Sequence, residues 1–126
     1  MRIEWTIAAV AILAAALSGC GVSTSMAAAV PGGDVLKGKA AIDHYGCGGC
    51  HTIGGVRGAQ GKVGPPLTGI GGRMYVAGML TNTPDNMESW IRNPRAVNPG
   101  TAMPVLGVTD ADARNIVSYL YTLQQQ

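Results

Sequence analysis

The stretch Cys47-Gly48-Gly49-Cys50-His51 decides how the rest of the chain is read. Two cysteines separated by two residues and followed at once by histidine form C-x-x-C-H, the attachment signature of a c-type haem. The spacing has a chemical reason. Two thiols so placed reach the two vinyl groups on one porphyrin edge and form thioethers, and the adjacent histidine projects under the ring, where its imidazole can bind the iron. The intervening glycines let the backbone lie close to the macrocycle. Three rival readings are weaker. A thioredoxin-like dithiol calls for a βαβ setting that the chain does not suggest. A zinc site needs about four ligands, and a second pair is missing. A structural disulfide leaves His51 without a role.

The next question is what faces His51 across the iron, because an open position invites ligands and a filled one favours electron transfer. The other histidine, His44, leads into the motif on the attachment side and is a poor candidate. Of the six methionines, Met1 and Met26 fall in the leader and tether, while Met74, Met79 and Met87 fall in stretches that read as loop or helix packing. Met103 stands apart, in the turn-rich segment Asn98-Pro99-Gly100-Thr101-Ala102-Met103-Pro104. Such a segment can present one side chain on a rigid loop. The alternative is that Met103 fills a core gap, as methionines often do.

Outward from the motif, composition agrees with a bound apolar group. The chain has 126 residues, 19 of them glycine, and no phenylalanine. That length is one domain with a modest core. The formal net charge is +2 with no Lys/Arg run, which excludes nucleic acid as a partner. Three cysteines, Cys20, Cys47 and Cys50, do not make a disulfide framework.

The N-terminus reads as an export signal. Arg2 gives a positive start, weakened by Glu4, and Ile7–Leu17 is uninterrupted Ile, Ala, Val and Leu. That is a signal-peptide length and short for a spanning helix. Leu17-Ser18-Gly19-Cys20 resembles a bacterial lipobox, which makes Cys20 the lipidated mature N-terminus. The other readings are cleavage near Met26–Ala29 and a retained helical anchor. All three put the domain outside the cytoplasmic membrane. The expected organisation is leader 1–20, flexible tether 21–33 and haem domain 34–126.

Within the domain, Asp34–Tyr45 reads as a helix capped by Asp34, with Leu36, Ala40 and Ile42 as apolar positions and Gly46 at its end. His51–Gly72 reads as loops. Pro84–Asn93 reads as a short helix stopped by Pro94, and Thr109–Leu123 as the clearest helix, with Thr109 and Asp112 as a near capping box and Ile116, Val117, Leu120 and Leu123 as its apolar stripe. No strand pair stands out, so the expected fold class is all-α.

The motif pair CGGCH and NPGTAMP resembles the class I cytochrome c family over about Asp34–Leu123. The resemblance implies three or more helices and loops wrapped around one covalent haem c, joined through Cys47 and Cys50, with His51 and Met103 as iron ligands. Gly64-Pro65-Pro66-Leu67 is similar to the family's Gly-Pro-x-Leu, which implies that the Pro65 carbonyl accepts the His51 Nδ1 proton and that Leu67 packs on the haem. Gly72-Arg73 implies an arginine near a propionate, and Trp90 implies a ring lining the pocket, with plain core packing as the other reading. Gly38 and Tyr119 match the crossing of first and last helices, whereas Ile42 stands where an aromatic is common. The run Gly64–Pro104 is closest to the cytochrome domain fused to subunit II of some haem-copper oxidases, whose copper-binding domain this chain lacks.

What this implies is a one-electron carrier and not an enzyme. It would act in a membrane-associated respiratory chain, between redox proteins such as a quinol-oxidising complex and a terminal oxidase, with no small-molecule substrate and with a lipid anchor or uncleaved helix at the membrane. A tightly bound subunit of a respiratory or dehydrogenase complex is the alternative, and an open-site haem enzyme or sensor a further one. Lys37, Lys39, Arg57, Lys62, Arg92 and Arg95 are candidates for steering a partner, or else a solvated surface.

Overall fold

The computed structural model describes residues 30–124. The leader, the lipobox with Cys20 and most of the tether lie outside the described residues. Among the described residues no helix is long and apolar enough to cross a membrane.

The order is α1 (Val35–His44), a short hairpin of β1 (Tyr75–Val76) and β2 (Leu80–Thr81), then α2 (Pro84–Arg92), α3 (Pro94–Val97) and α4 (Asp110–Thr122). Asp34 caps α1 by accepting from the Leu36 and Lys37 amides at 2.9 and 3.0 Å. Gly46 follows its end at φ 71, a left-handed turn that a side chain would resist. The buried face of α1 is Gly38, Ala41 and Ile42, while Leu36 and Ala40, read from the sequence as apolar core positions, are exposed. The reason is the partner. α1 packs chiefly on α4, and a Cβ at Gly38 would collide with the Asn115 carbonyl. Smallness therefore marks the contact face, and Leu36 stays outside it.

Four helix starts use side-chain caps. Thr83 accepts from the Asn86 amide with Pro84 at the first position, and Asn93 accepts from Ala96, so Pro94 both ends α2 and opens α3. At α4, Thr109 accepts from the Asp112 amide at 3.1 Å and donates to the Asp112 carboxylate at 2.8 Å. The Tyr45 hydroxyl donates to the same carboxylate oxygen at 2.8 Å, tying the end of α1 to the start of α4. These two hydroxyls, Tyr45 first, hold the Asp112 carboxyl below its ordinary range.

The hairpin corrects the expectation that no strands pair. Tyr75 pairs with Thr81 and Val76 with Leu80. The turn has Ala77 at φ 56 and Gly78 at φ 72, and the Met79 amide donates to the Val76 carbonyl at 3.2 Å. Two residues per strand are too few to show alternation, and alanine is an unusual occupant of a left-handed position. Asn82 supports the hairpin by donating to the Ile70 and Arg73 carbonyls, both at 2.8 Å, and accepting from Tyr121.

The packed region also begins earlier than residue 34. Val30 is 6 % exposed, and Arg114 reaches the Pro31 carbonyl at 3.5 Å while pairing with the buried Glu88 at 3.1 Å. The last residues read as tether therefore lie against α4. Glu88 had no signal in the sequence, and its second carboxylate oxygen has no hydrogen-bond partner.

Candidate haem site

The attachment motif forms one 3₁₀ turn, Cys47–Gly49, in which the amides of Cys50 and His51 donate back to the Cys47 carbonyl at 3.2 and 3.0 Å. This tight turn places Cys47 and His51 on the wall of one cavity. Gly48 has a packing reason as well: Ala59 Cβ lies 2.7 Å from where a Cβ of Gly48 would stand, whereas Gly49 has open space. Both thiols are free and half-buried. Burial pushes the Cys47 thiol up, and nearby Cys50 adds to this against a backbone hydrogen bond.

His51 is aimed by the loop that follows. Its Nδ1–H donates to the Pro65 carbonyl at 2.7 Å. That bond fixes the tautomer and leaves Nε2 as the free lone pair, the arrangement that makes imidazole a good metal ligand. Gly64 lies flat against the ring, since a Cβ there would run into it. The loop is held in turn by Gly64 N–H to the Cys50 carbonyl at 2.8 Å, Leu67 N–H to the Thr52 carbonyl at 2.9 Å and Thr52 Oγ1 to the Gly61 carbonyl at 3.1 Å.

Arg73 lies elsewhere than in the cavity wall. Its guanidinium donates to the Pro66 and Thr68 carbonyls at 2.7 and 2.9 Å, clamping the loop that carries Pro65. His44 is exposed, with its ring edge-on to Tyr45 at 5.0 Å.

Opposite, Met103 sits in a loop closed by turns. Thr101 N–H donates to the Asn98 carbonyl at 3.0 Å, Gly100 N–H to the Asn98 side chain at 3.1 Å and Met103 N–H to Thr101 Oγ1 at 3.1 Å. Met103 and His51 line the same cavity, together with Cys47, Leu67 and Trp90. The sequence reading missed most of the remaining wall, including Ile53, Ile70, Val76, Leu106 and Val108. Part of that wall had a signal: Met87, Trp90 and Ile91 share one face of α2 at helical spacing.

The cavity is lined mainly by apolar side chains. Its wall is apolar apart from His51 and carries the Cys47 thiol and the Met103 thioether, while Cys50, in the same attachment turn, is not among its lining residues. That is the donor set of a covalently held, apolar, iron-centred macrocycle. The residues fit a haem, and they define a c-type haem protein.

Comparison with known proteins makes this specific. The family profile described as cytochrome c matches residues 35–124. Cytochrome c2 of Agrobacterium tumefaciens is 36 % identical over 104 residues, covering 70 % of this chain and 90 % of that protein. Cytochrome c-550 of Nitrobacter winogradskyi is 35 % identical over 101 residues, covering 70 % and 89 %. Cytochrome c oxidase subunit 2 of Alkalihalophilus pseudofirmus is 34 % identical over 89 residues, but the match spans 70 % of this chain and a quarter of that protein. Among solved structures, cytochrome c2 from Rhodobacter sphaeroides superposes with a TM-score of 0.51 at 21 % identity, covering 75 % of this chain and 98 % of that one, which supports the fold.

The chain belongs to the cytochrome c family. It is a class I monohaem c-type cytochrome with one haem c held through Cys47 and Cys50.

Proposed function

We propose that the protein is a one-electron carrier of a membrane-associated respiratory chain, delivering electrons toward a terminal oxidase, with His51 and Met103 as the two iron ligands. The observation that carries this reading is that His51 and Met103 line one apolar cavity from two separate loops. When bound, the haem iron supplies reversible exchange between Fe(III) and Fe(II). The chain's residues do the rest. Pro65 accepts from His51 Nδ1 and leaves Nε2 free, so that His51 would hold the iron through Nε2. Met103 offers a soft thioether, which favours the ferrous state and raises the potential over a pair of nitrogen ligands. Ile42, Ile70, Met87, Ile116 and Leu120 keep water from the ring, and an apolar surround disfavours the added charge of the oxidised state. Ligands supplied from two anchored loops need little rearrangement when an electron arrives.

Delivery to an oxidase is supported by the similarity to an oxidase subunit 2, and attachment to a membrane by the lipobox-like Leu17–Cys20. The same similarity favours a second reading, in which the chain is a firmly held subunit of an oxidase complex. Potentiometric titration of the haem-loaded protein tests the proposal. The expected result is one reversible one-electron wave whose potential falls in Met103→His. A potential unchanged by that substitution contradicts Met103 as a ligand, and co-purification with an intact oxidase selects the second reading.

A further inference from the structure

Resting on the membrane attachment proposed above, we infer that the first turn of α1 is a lipid-docking face. Leu36 enters the headgroup layer of an anionic phospholipid surface, and Lys37 and Lys39 pair with its phosphates. Leu36 is 81 % exposed and its neighbour Val35 40 %. Lys39 and Ala40, three and four positions on, share one side of the helix with Leu36, and Lys37 stands at the edge of that side. All three are exposed. An apolar side chain set between two cations is the pattern of helices that lie in a membrane interface. There the leucine leaves water, and the lysine stems bend to keep their ammonium groups at the headgroups.

A single exposed leucine means little by itself; its place on the molecule names the occupant. Val30, at the start of the packed region, is buried. From there to α1 the chain is held against α4 at three points. Arg114 donates to the Pro31 carbonyl at 3.5 Å, a Cβ on Gly33 would strike Ser118, and the Asp34 amide donates to the Asn115 side chain at 2.9 Å. The first turn of α1 is therefore fixed beside the point where the chain leads back toward the lipobox-like Leu17–Cys20. Cys20 stands ten residues before Val30, and ten residues span at most about 35 Å. A membrane that holds Cys20 is thus within reach of Leu36.

The charges select an anionic surface. Asp34, the acid nearest this turn in sequence, is occupied in capping the Leu36 and Lys37 amides. Asp43 lies at the other end of α1, about two turns on. Ile42, on another side of α1, lines the haem cavity, so a membrane at Leu36 leaves the cavity to a protein partner. Lys62, the remaining lysine, follows Gly61, whose amide donates to Gly48 in the turn beyond the end of α1. The length of α1, about 15 Å, separates it from Leu36.

The test is lysine footprinting of the full haem-loaded chain with an amine-acylating reagent, read by mass spectrometry. The protein is placed in vesicles of phosphatidylcholine alone or in equal mixture with phosphatidylglycerol. Acylation of Lys37 and Lys39 is expected to slow on the order of fivefold in the mixture relative to phosphatidylcholine alone, with Lys62 unchanged. The protection should fall to less than about half in Leu36→Gln, and should fade at about 0.5 M salt. Glutamine forms helix about as well as leucine and adds no charge, so the spectrum and melting of that variant stay as in the parent. Equal rates in both vesicles, protection that survives Leu36→Gln, or an equal slowing of Lys62 overturns the lipid face while the protein still floats with the vesicles. Protection relative to Leu36→Gln in detergent without vesicles makes a second copy or the leader segment the occupant, and likewise overturns it. A protein that floats with neither vesicle overturns the membrane attachment itself.

Discussion

The two sides of the haem cavity are built differently. On the attachment side, residues 47–67 are laced by backbone bonds: His51 to Cys47, Gly61 to Gly48, Gly64 to Cys50 and Leu67 to Thr52. The His51 ring is pinned at a second point by Pro65, and Arg73 clamps the loop behind it. On the methionine side the order stops early. After the Asn98 and Thr101 turns, no backbone–backbone hydrogen bond involves residues 104–108 among the described residues. One side is a preformed cradle, and the other is a loop that reaches the cavity through the side chains of Met103, Leu106 and Val108 with no backbone hydrogen bonds behind residues 104–108. The difference teaches where the site gives way. Loss of order starts at Met103 and leaves His51 and its thioethers in place, as expected of a region with few buried and many exposed backbone groups.

Substitutions can break or sharpen this contrast. The largest effect is expected on the rigid side. Gly64→Ala drives a methyl into a ring that has no room to retreat. It should lower stability by about 3 kcal/mol and sharply reduce haem-loaded protein, read by thermal melting and by the yield of covalent haem. Next comes Met103→Ala, which should keep the covalent haem, cost about 2 kcal/mol and let the ferrous protein bind carbon monoxide. Equal loss of covalent haem in both variants would erase the asymmetry. Thr101→Val removes the acceptor of the Met103 amide. It should cost about 1 kcal/mol in urea unfolding and loosen the methionine side alone, seen as faster ligand entry.

The fourth prediction concerns pH at the α1–α4 joint. The Tyr45 and Thr109 hydroxyls depress the Asp112 carboxyl in the folded state. A group depressed on folding stabilises at pH values above its unfolded value of about 3.9, and the gain is lost as pH falls through the folded value. Asp112→Asn should therefore be less stable than the parent at neutral pH, and the gap should close below about pH 4. A gap constant to pH 2 would remove this carboxylate from the acid limb. The smallest effect belongs to the hairpin, where Ala77→Gly should relieve a positive φ and gain about 0.5 kcal/mol.

What could be read from the sequence follows the same division. CGGCH is a covalent constraint with one geometry, and NPGTAMP is a run of turn formers around a single methionine, so both sides of the proposed site stand out in the sequence. The capped starts at Asp34 and Thr109 were visible for the same reason, since a short polar side chain before a helix has a local job. The misreadings came from long-range contacts. Leu36 looked like core and is exposed because α1 meets α4 through Gly38 and Ala41. The hairpin is too short to alternate, and its register is held from outside by Asn82. Glu88 and the docking of Val30 depend on Arg114, far along the chain.

The most direct test of the central claim is the optical spectrum of the haem-loaded protein, oxidised and reduced, with and without carbon monoxide. The account predicts a low-spin spectrum with a sulfur–iron charge-transfer band that Met103→Ala abolishes, and a native ferrous form that ignores carbon monoxide. Ready binding of carbon monoxide by the native ferrous protein would contradict it, because the position opposite His51 would then be open.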